Sequence, residues 1–109
     1  MPSYLIQASY TIEALAALVK KPQDRTEMIR KSIENLGGEL VGFWLSFGEQ
    51  DVVSIIDLPN NVAAAAFRIA IASGGALKSV TITPLFTVAQ GISALKKAAT
   101  SGYTSVTAK

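Results

Sequence analysis

The chain contains no cysteine and no histidine. Without cysteine there is no disulfide, no thiolate nucleophile and no cysteinyl metal site. Without histidine the commonest metal ligand is missing, and so is the usual general base near neutral pH. A histidine-ligated haem is excluded, as are Ser-His-Asp and Cys-His arrangements. Gly-rich phosphate loops are also missing, because Gly37-Gly38 and Gly74-Gly75 read as helix stops. The eight carboxylates show no metal-ligand spacing. The expectation is a protein with no cofactor and no metal. No apolar run approaches the ~20 residues of a membrane span. The first residues run straight into a strand-like pattern, without the basic region and apolar stretch of a signal peptide. These readings predict a cytoplasmic protein that does not engage membranes.

Charge is scarce as well. Charged residues make up 17% of the 109 positions, against ~25% in an average soluble domain. The net charge is +2, and Lys20-Lys21, Arg30-Lys31 and Lys96-Lys97 are isolated pairs, not a stripe. Nucleic-acid binding is therefore not expected. With 50% hydrophobic residues, some of what would be surface is expected to be covered by self-association. The length fits one domain.

Alternation of apolar residues predicts a strand over Ser3–Tyr10, with Tyr4, Ile6, Ala8 and Tyr10 on one face. Thr11 can cap a short helix ending before Pro22. Asp24 to Leu36 reads as the clearest helix, with Asp24 as its cap, Glu27 completing a capping box and a Glu27–Lys31 pair on the wet face. Two apolar runs, Glu39–Phe47 and Asp51–Leu58, flank the turn Gly48-Glu49-Gln50-Asp51 and predict a hairpin. An Asn cap then opens an alanine-rich helix up to Gly74-Gly75, apolar enough to be buried on more than one side. Leu77–Thr87 alternates again, and Val88, Ile92, Leu95 and Ala99 recur at helical spacing. The predicted organisation is one domain over residues 1–90, followed by a short C-terminal helix and flexible tail over 91–109.

This order predicts an α+β, ferredoxin-like split β-α-β fold: a four-stranded antiparallel sheet with helices on one face. The second strand lies at a sheet edge in that fold, and here it is among the most hydrophobic segments, with Phe43 and Trp44 on opposite faces. An uncovered edge of that kind aggregates. The other face of the sheet is open too. The predicted partner is a second copy of the chain, packed sheet to sheet.

At this point the sequence resembles the GYD-domain family, a bacterial group of small α+β proteins. The opening Met1-Pro2-Ser3-Tyr4-Leu5-Ile6-Gln7-Ala8-Ser9-Tyr10-Thr11 carries the resemblance. It continues through Arg25, Gly37-Gly38, the Gly48–Asp51 turn with Val52-Val53, Pro59, the alanine-rich helix and Thr83-Pro84-Leu85. The family's turn reads Gly, acidic residue, Tyr, Asp; this chain has Gln50 in place of the Tyr. The resemblance implies a dimeric α/β barrel and names no activity. Structural relatives of such folds include monooxygenases, isomerases and ligand-sensing domains, among which fold does not decide.

Three residues are candidates for a ligand site. Asp51 enters an apolar strand, where desolvation would make a carboxylate a usable acid or base; alternatively it only makes the turn. Tyr10 ends the first strand and can donate a hydrogen bond at the rim, or simply pack at a boundary. Arg25 shares a stripe with Ile29 and Ile33 and can hold an anion, or else snorkel over the core edge or pair with Asp51 or Glu13. Trp44 reads as an interface anchor. Glu49 reads as a solvated turn residue; Lys78, Thr81 and Thr83 lie on the more polar face of the last strand, where they either line a cleft or form the wet face of an edge strand. The leading functional expectation is a homo-oligomeric protein binding a small molecule near Tyr10, Arg25 and Asp51. One alternative is a cofactor-independent enzyme, monooxygenase- or isomerase-like, using Asp51 as acid/base. Another is a structural assembly module.

Overall fold

A computed structural model describes residues 1–107 of the chain. The elements run β1 (Ser3–Tyr10), α1 (Ile12–Lys20), α2 (Thr26–Asn35), β2 (Glu39–Leu45), β3 (Val52–Asp57), α3 (Asn61–Ser73), β4 (Leu77–Leu85) and α4 (Val88–Ala98). The strands form one antiparallel sheet in the order β2-β3-β1-β4. This is the ferredoxin-like α+β arrangement that the element order predicts.

Period-2 alternation decides which side of the sheet each residue takes. Tyr4, Ile6 and Ala8 of β1 are buried, together with Val52, Ser54 and Ile56 of β3 and Val80 of β4. Against them pack Ile33 from α2 and Ala64 and Phe67 from α3, so the helices that build the core lie on one face. The Tyr4 hydroxyl, half-buried at the edge of this core, donates to Asn61 Oδ1 at 3.0 Å. On the other face the registers align Leu5 with Ile55, and Gln7 with Val53 and Trp44. That face is open, and Trp44 is 53% exposed on it. The Trp44 ring lies over Gly42, leaving no room for a side chain there.

Several caps are as the sequence suggests. Thr11 Oγ1 accepts from Ala14 N–H, and Asn60 Oδ1 from Ala63 N–H. The start of α2 differs. Asp24 Oδ1 accepts from both the amide and the hydroxyl of Thr26, which lowers the Asp24 pKa. The residue at the cap position is Arg25, without a side-chain cap bond. Glu27 pairs with Arg30, three residues on, and not with Lys31. The short side chain of Asp24 reaches the nearest amide first and leaves Glu27 free for a neighbour on the next turn.

Two further expectations are corrected. The alanine-rich α3 buries only Ala64 and Phe67, and exposes Val62 and Ile69. Phe86 lies beyond β4 and is exposed. α4 has no buried residue. The Cα radius of gyration is 17.7 Å, with a long axis of 61 Å, against ~13 Å for a compact chain of this length. The excess is consistent with α4 projecting from the body as an arm. No described helix is long and apolar enough to cross a membrane.

Gly38 shows how tightly β2 enters the sheet: a Cβ there would run into the Asp57 carbonyl oxygen and the Leu58 side chain. A Gly38→Ala variant is expected to lose roughly 1–3 kcal/mol in urea unfolding. Gly74→Ala, whose Cβ would meet only the Ile71 carbonyl oxygen at 3.6 Å, is expected to be neutral or slightly stabilising by a few tenths of a kcal/mol. Equal effects of the two would contradict this packing.

Candidate functional site

Between the sheet and the first three helices lies a cavity of about 490 Å³. Its floor is the core face of the sheet, with Ile6 and Ala8 from β1, Phe43 from β2, and Val52 and Ser54 from β3. Met28 and Ile29 wall it from α2, and Phe67 and Ile71 from α3. The roof is α1, which carries no buried residue. The residues that α1 turns to the cavity are Ala14, Ala17 and Leu18. Two alanines are too short to fill the space beneath a helix, so a void remains where a sheet and helix would otherwise interdigitate. The larger Ile12 and Val19 point outward and are exposed.

The mouth is polar. Tyr10, Gln23 and Arg25 line it, and Arg25 is the only charged residue among the lining residues. Arg25 Nη1 donates to Gln23 Oε1 at 3.4 Å, an exposed and long contact. Among the described residues the one ion pair is Arg30 with Glu27, so the Arg25 guanidinium faces the mouth without a carboxylate partner. Tyr10 is half-buried, and burial raises the pKa of its phenol. The Asp51 charge raises it further, and the nearby Arg25 guanidinium opposes both. The structure therefore brings Tyr10 and Arg25 to the same opening.

Asp51 occupies a different place. It does not line the cavity. Its Oδ2 accepts from the Tyr10 backbone N–H at 2.9 Å, and its own N–H donates to the Ala8 carbonyl at 2.9 Å. The Asp51 carbonyl accepts from Ser46 N–H at 2.8 Å, closing the hairpin turn. Buried Ser9 donates from its hydroxyl toward the Glu49 carbonyl (3.1 Å) and Gln50 Oε1 (3.2 Å). Gln50 thus gives the turn a side-chain acceptor for Ser9. The whole turn is a latch on the end of β1. On the other side, Thr11 N–H donates to the Ala76 carbonyl at 2.9 Å. Together these bonds fix Tyr10 at the mouth and set where α1 leaves the sheet.

Trp44 faces the open side of the sheet, away from the cavity. Thr81 and Thr83 also lie on that side, paired with Gln7 and Leu5. Sequence reasoning did not single out Gln23, Phe43 or Met28 as lining residues. Their positions depend on how far α1 stands from the sheet, and no local pattern encodes that distance. The pair of alanines at Ala14 and Ala17 is the one signal that could have indicated a gap. Among the described residues no group of three carboxylates lies close enough to hold a metal ion.

A family model described as the GYD domain matches residues 4–95, from β1 into α4. No curated protein and no solved structure matches the chain.

The phenol titration has a definite sign. A raised pKa favours the neutral phenol in the fold, so this contribution to stability is present below the ordinary tyrosine value near 10. It is lost as the pH rises through the higher folded value. Tyrosinate absorbance is expected to include a late-titrating component that is lost in Tyr10→Phe. Arg25→Gln should move it to higher pH and Asp51→Asn to lower pH; the opposite order would place these charges wrongly. Asp51→Ala is expected to lose about 1–3 kcal/mol in chemical denaturation, because the part-buried Tyr10 amide loses its acceptor.

Proposed function

We propose that this chain, which belongs to the GYD-domain family, is a homo-oligomeric protein that binds a small molecule. The ligand is a largely apolar body with one anionic group, seated beneath α1 with its charged end at Arg25. The observation that carries this reading is the apolar cavity whose single charged lining residue is an unpaired arginine. Its volume lies within the ~300–1,000 Å³ common for small-molecule sites. Guanidinium groups bind carboxylate and sulfonate oxygens in a fork, and the Tyr10 hydroxyl can add a donor. Asp51 supports binding more than catalysis, since one carboxylate oxygen is engaged by a backbone amide. The low charge and the open apolar face of the sheet support self-association, with two sheets packed face to face.

The test uses two fluorescent probes of similar shape, anilinonaphthalene sulfonate, an apolar anion, and N-phenylnaphthylamine, which is neutral. Both are expected to bind the purified protein. Arg25→Gln should weaken the anion roughly tenfold and leave the neutral probe within about twofold. Ala17→Phe, which fills the cavity from its roof, should remove both. Retention of both probes in Ala17→Phe would show that they bind elsewhere and sink the reading. Native mass spectrometry of the same preparations reports any resident small molecule.

A further inference from the structure

Two exposed apolar surfaces of the molecule belong to halves of opposite charge. Residues 1–57 hold all eight carboxylates against five cations, a net of −3. Residues 58–109 hold five cations and no carboxylate. The acidic half contains β2, a sheet edge on which Val41 and Leu45 stand in solvent, Leu45 at 75% exposure. Val41 is the extra residue of a β-bulge, between Leu40 and Gly42. β2 begins at Glu39, and the turn after it carries Glu49. The basic half ends in α4, where Val88, Ile92 and Leu95 form one uncovered stripe, Leu95 at 73% exposure. Phe86 and Gly91 complete a shallow apolar groove along that helix. Lys96 and Lys97 sit in its last turn.

We propose that α4 of one copy lies along the β2 edge of a second copy. Wrapping the outside of that edge, its apolar stripe covers the partner's Val41 and the partner's Leu45, which pairs with Val52 and so projects to the helix side of the sheet, and Lys96 and Lys97 come beside the partner's Glu49. The placement rests on the face-to-face pairing proposed above. A two-fold axis along the strands reverses the order β2-β3-β1-β4, so β4 of one sheet lies over β2 of the other. The registers put Leu85, Ser3, Asp57 and Glu39 in one row across the sheet. The end of β4 therefore arrives at the partner's Glu39. From there α4, about 16 Å long, matches β2, about 20 Å between its ends. The positive end of the helix dipole starts at the partner's Glu39. One helix length on, the lysines come level with the hairpin turn. The arm thus covers an edge that would otherwise pair indiscriminately.

Because the chain has no cysteine, single-cysteine variants test this cleanly. Leu95→Cys and Leu45→Cys full-length chains, mixed and mildly oxidised, are expected to form a heterodimeric disulfide. Leu95→Cys mixed with Lys20→Cys should form little. Lys96→Glu/Lys97→Glu should weaken the dimer roughly three- to tenfold by sedimentation, and adding Glu49→Lys should restore it. A dimer by light scattering without the cross-link would overturn the arm and leave face-to-face pairing standing. A monomer at micromolar concentration would overturn both. An intrachain disulfide in the Leu45→Cys/Leu95→Cys double variant would assign α4 to its own edge instead. Co-sedimentation with vesicles of anionic lipid, without the cross-link, would assign the arm to a lipid surface.

Discussion

The Asp51 carboxylate holds the Tyr10 amide, and the rest of the site follows from that bond. β1 runs through the centre of the sheet, between β3 and β4, and must leave it at a defined point. The latch from the hairpin turn ends the strand: Asp51 takes the last amide, Ser9 is tied to Glu49 and Gln50, and Thr11 is tied to Ala76. The departure angle of α1 is set there. Because α1 then presents only Ala14, Ala17 and Leu18 inward, the core is left incomplete above Ile6 and Ala8. The cavity is thus a consequence of a hydrogen bond from a backbone amide to a carboxylate and of two short side chains.

The same economy explains the electrostatics of the mouth. Asp51 makes no ion pair with Arg25, and Glu27 is drawn to Arg30. Arg25 is left as the one charge beside an apolar void. Burial raises the pKa of the Tyr10 phenol, with Arg25 lowering it and Asp51 raising it, so the phenol is a neutral donor near neutral pH, as an ordinary tyrosine is. A neutral donor and a cation at the same opening suit the anionic, apolar ligand proposed above.

The outside of the molecule has an unmet demand of a different kind. Trp44 on the open sheet face, Leu45 on the edge and Val62 and Ile69 on α3 are all exposed in the single chain. Scarce charge and exposed apolar side chains are two views of one fact: the chain has more apolar surface than one copy buries. The hydrophobic effect scales with area removed from water, and that is the driving force for the association proposed above.

Much of the architecture was legible in the sequence. Alternation in β1 and β4, the Thr11 and Asn60 caps, the glycine stops and the edge position of β2 are local or pairwise signals, and physical periodicity reports them directly. The start of α2 was misread because Asp24 had two ways to bond nearby donors, and only the folded backbone decided between them. The burial of α3 was overestimated because composition records what a helix could bury and not what it meets. For the site, the sequence supplied Tyr10, Arg25 and Asp51 as residue types worth attention. It did not separate the two that line the mouth from the one that braces the backbone behind it. That separation lies in the standoff of α1 and the reach of a turn across the sheet to a strand some forty residues earlier. Such distances are set by long-range packing and hydrogen bonding, which a linear pattern of residues does not contain, so the sequence by itself determined the fold and the surplus of apolar surface, and the tertiary structure alone decided where the cavity opens.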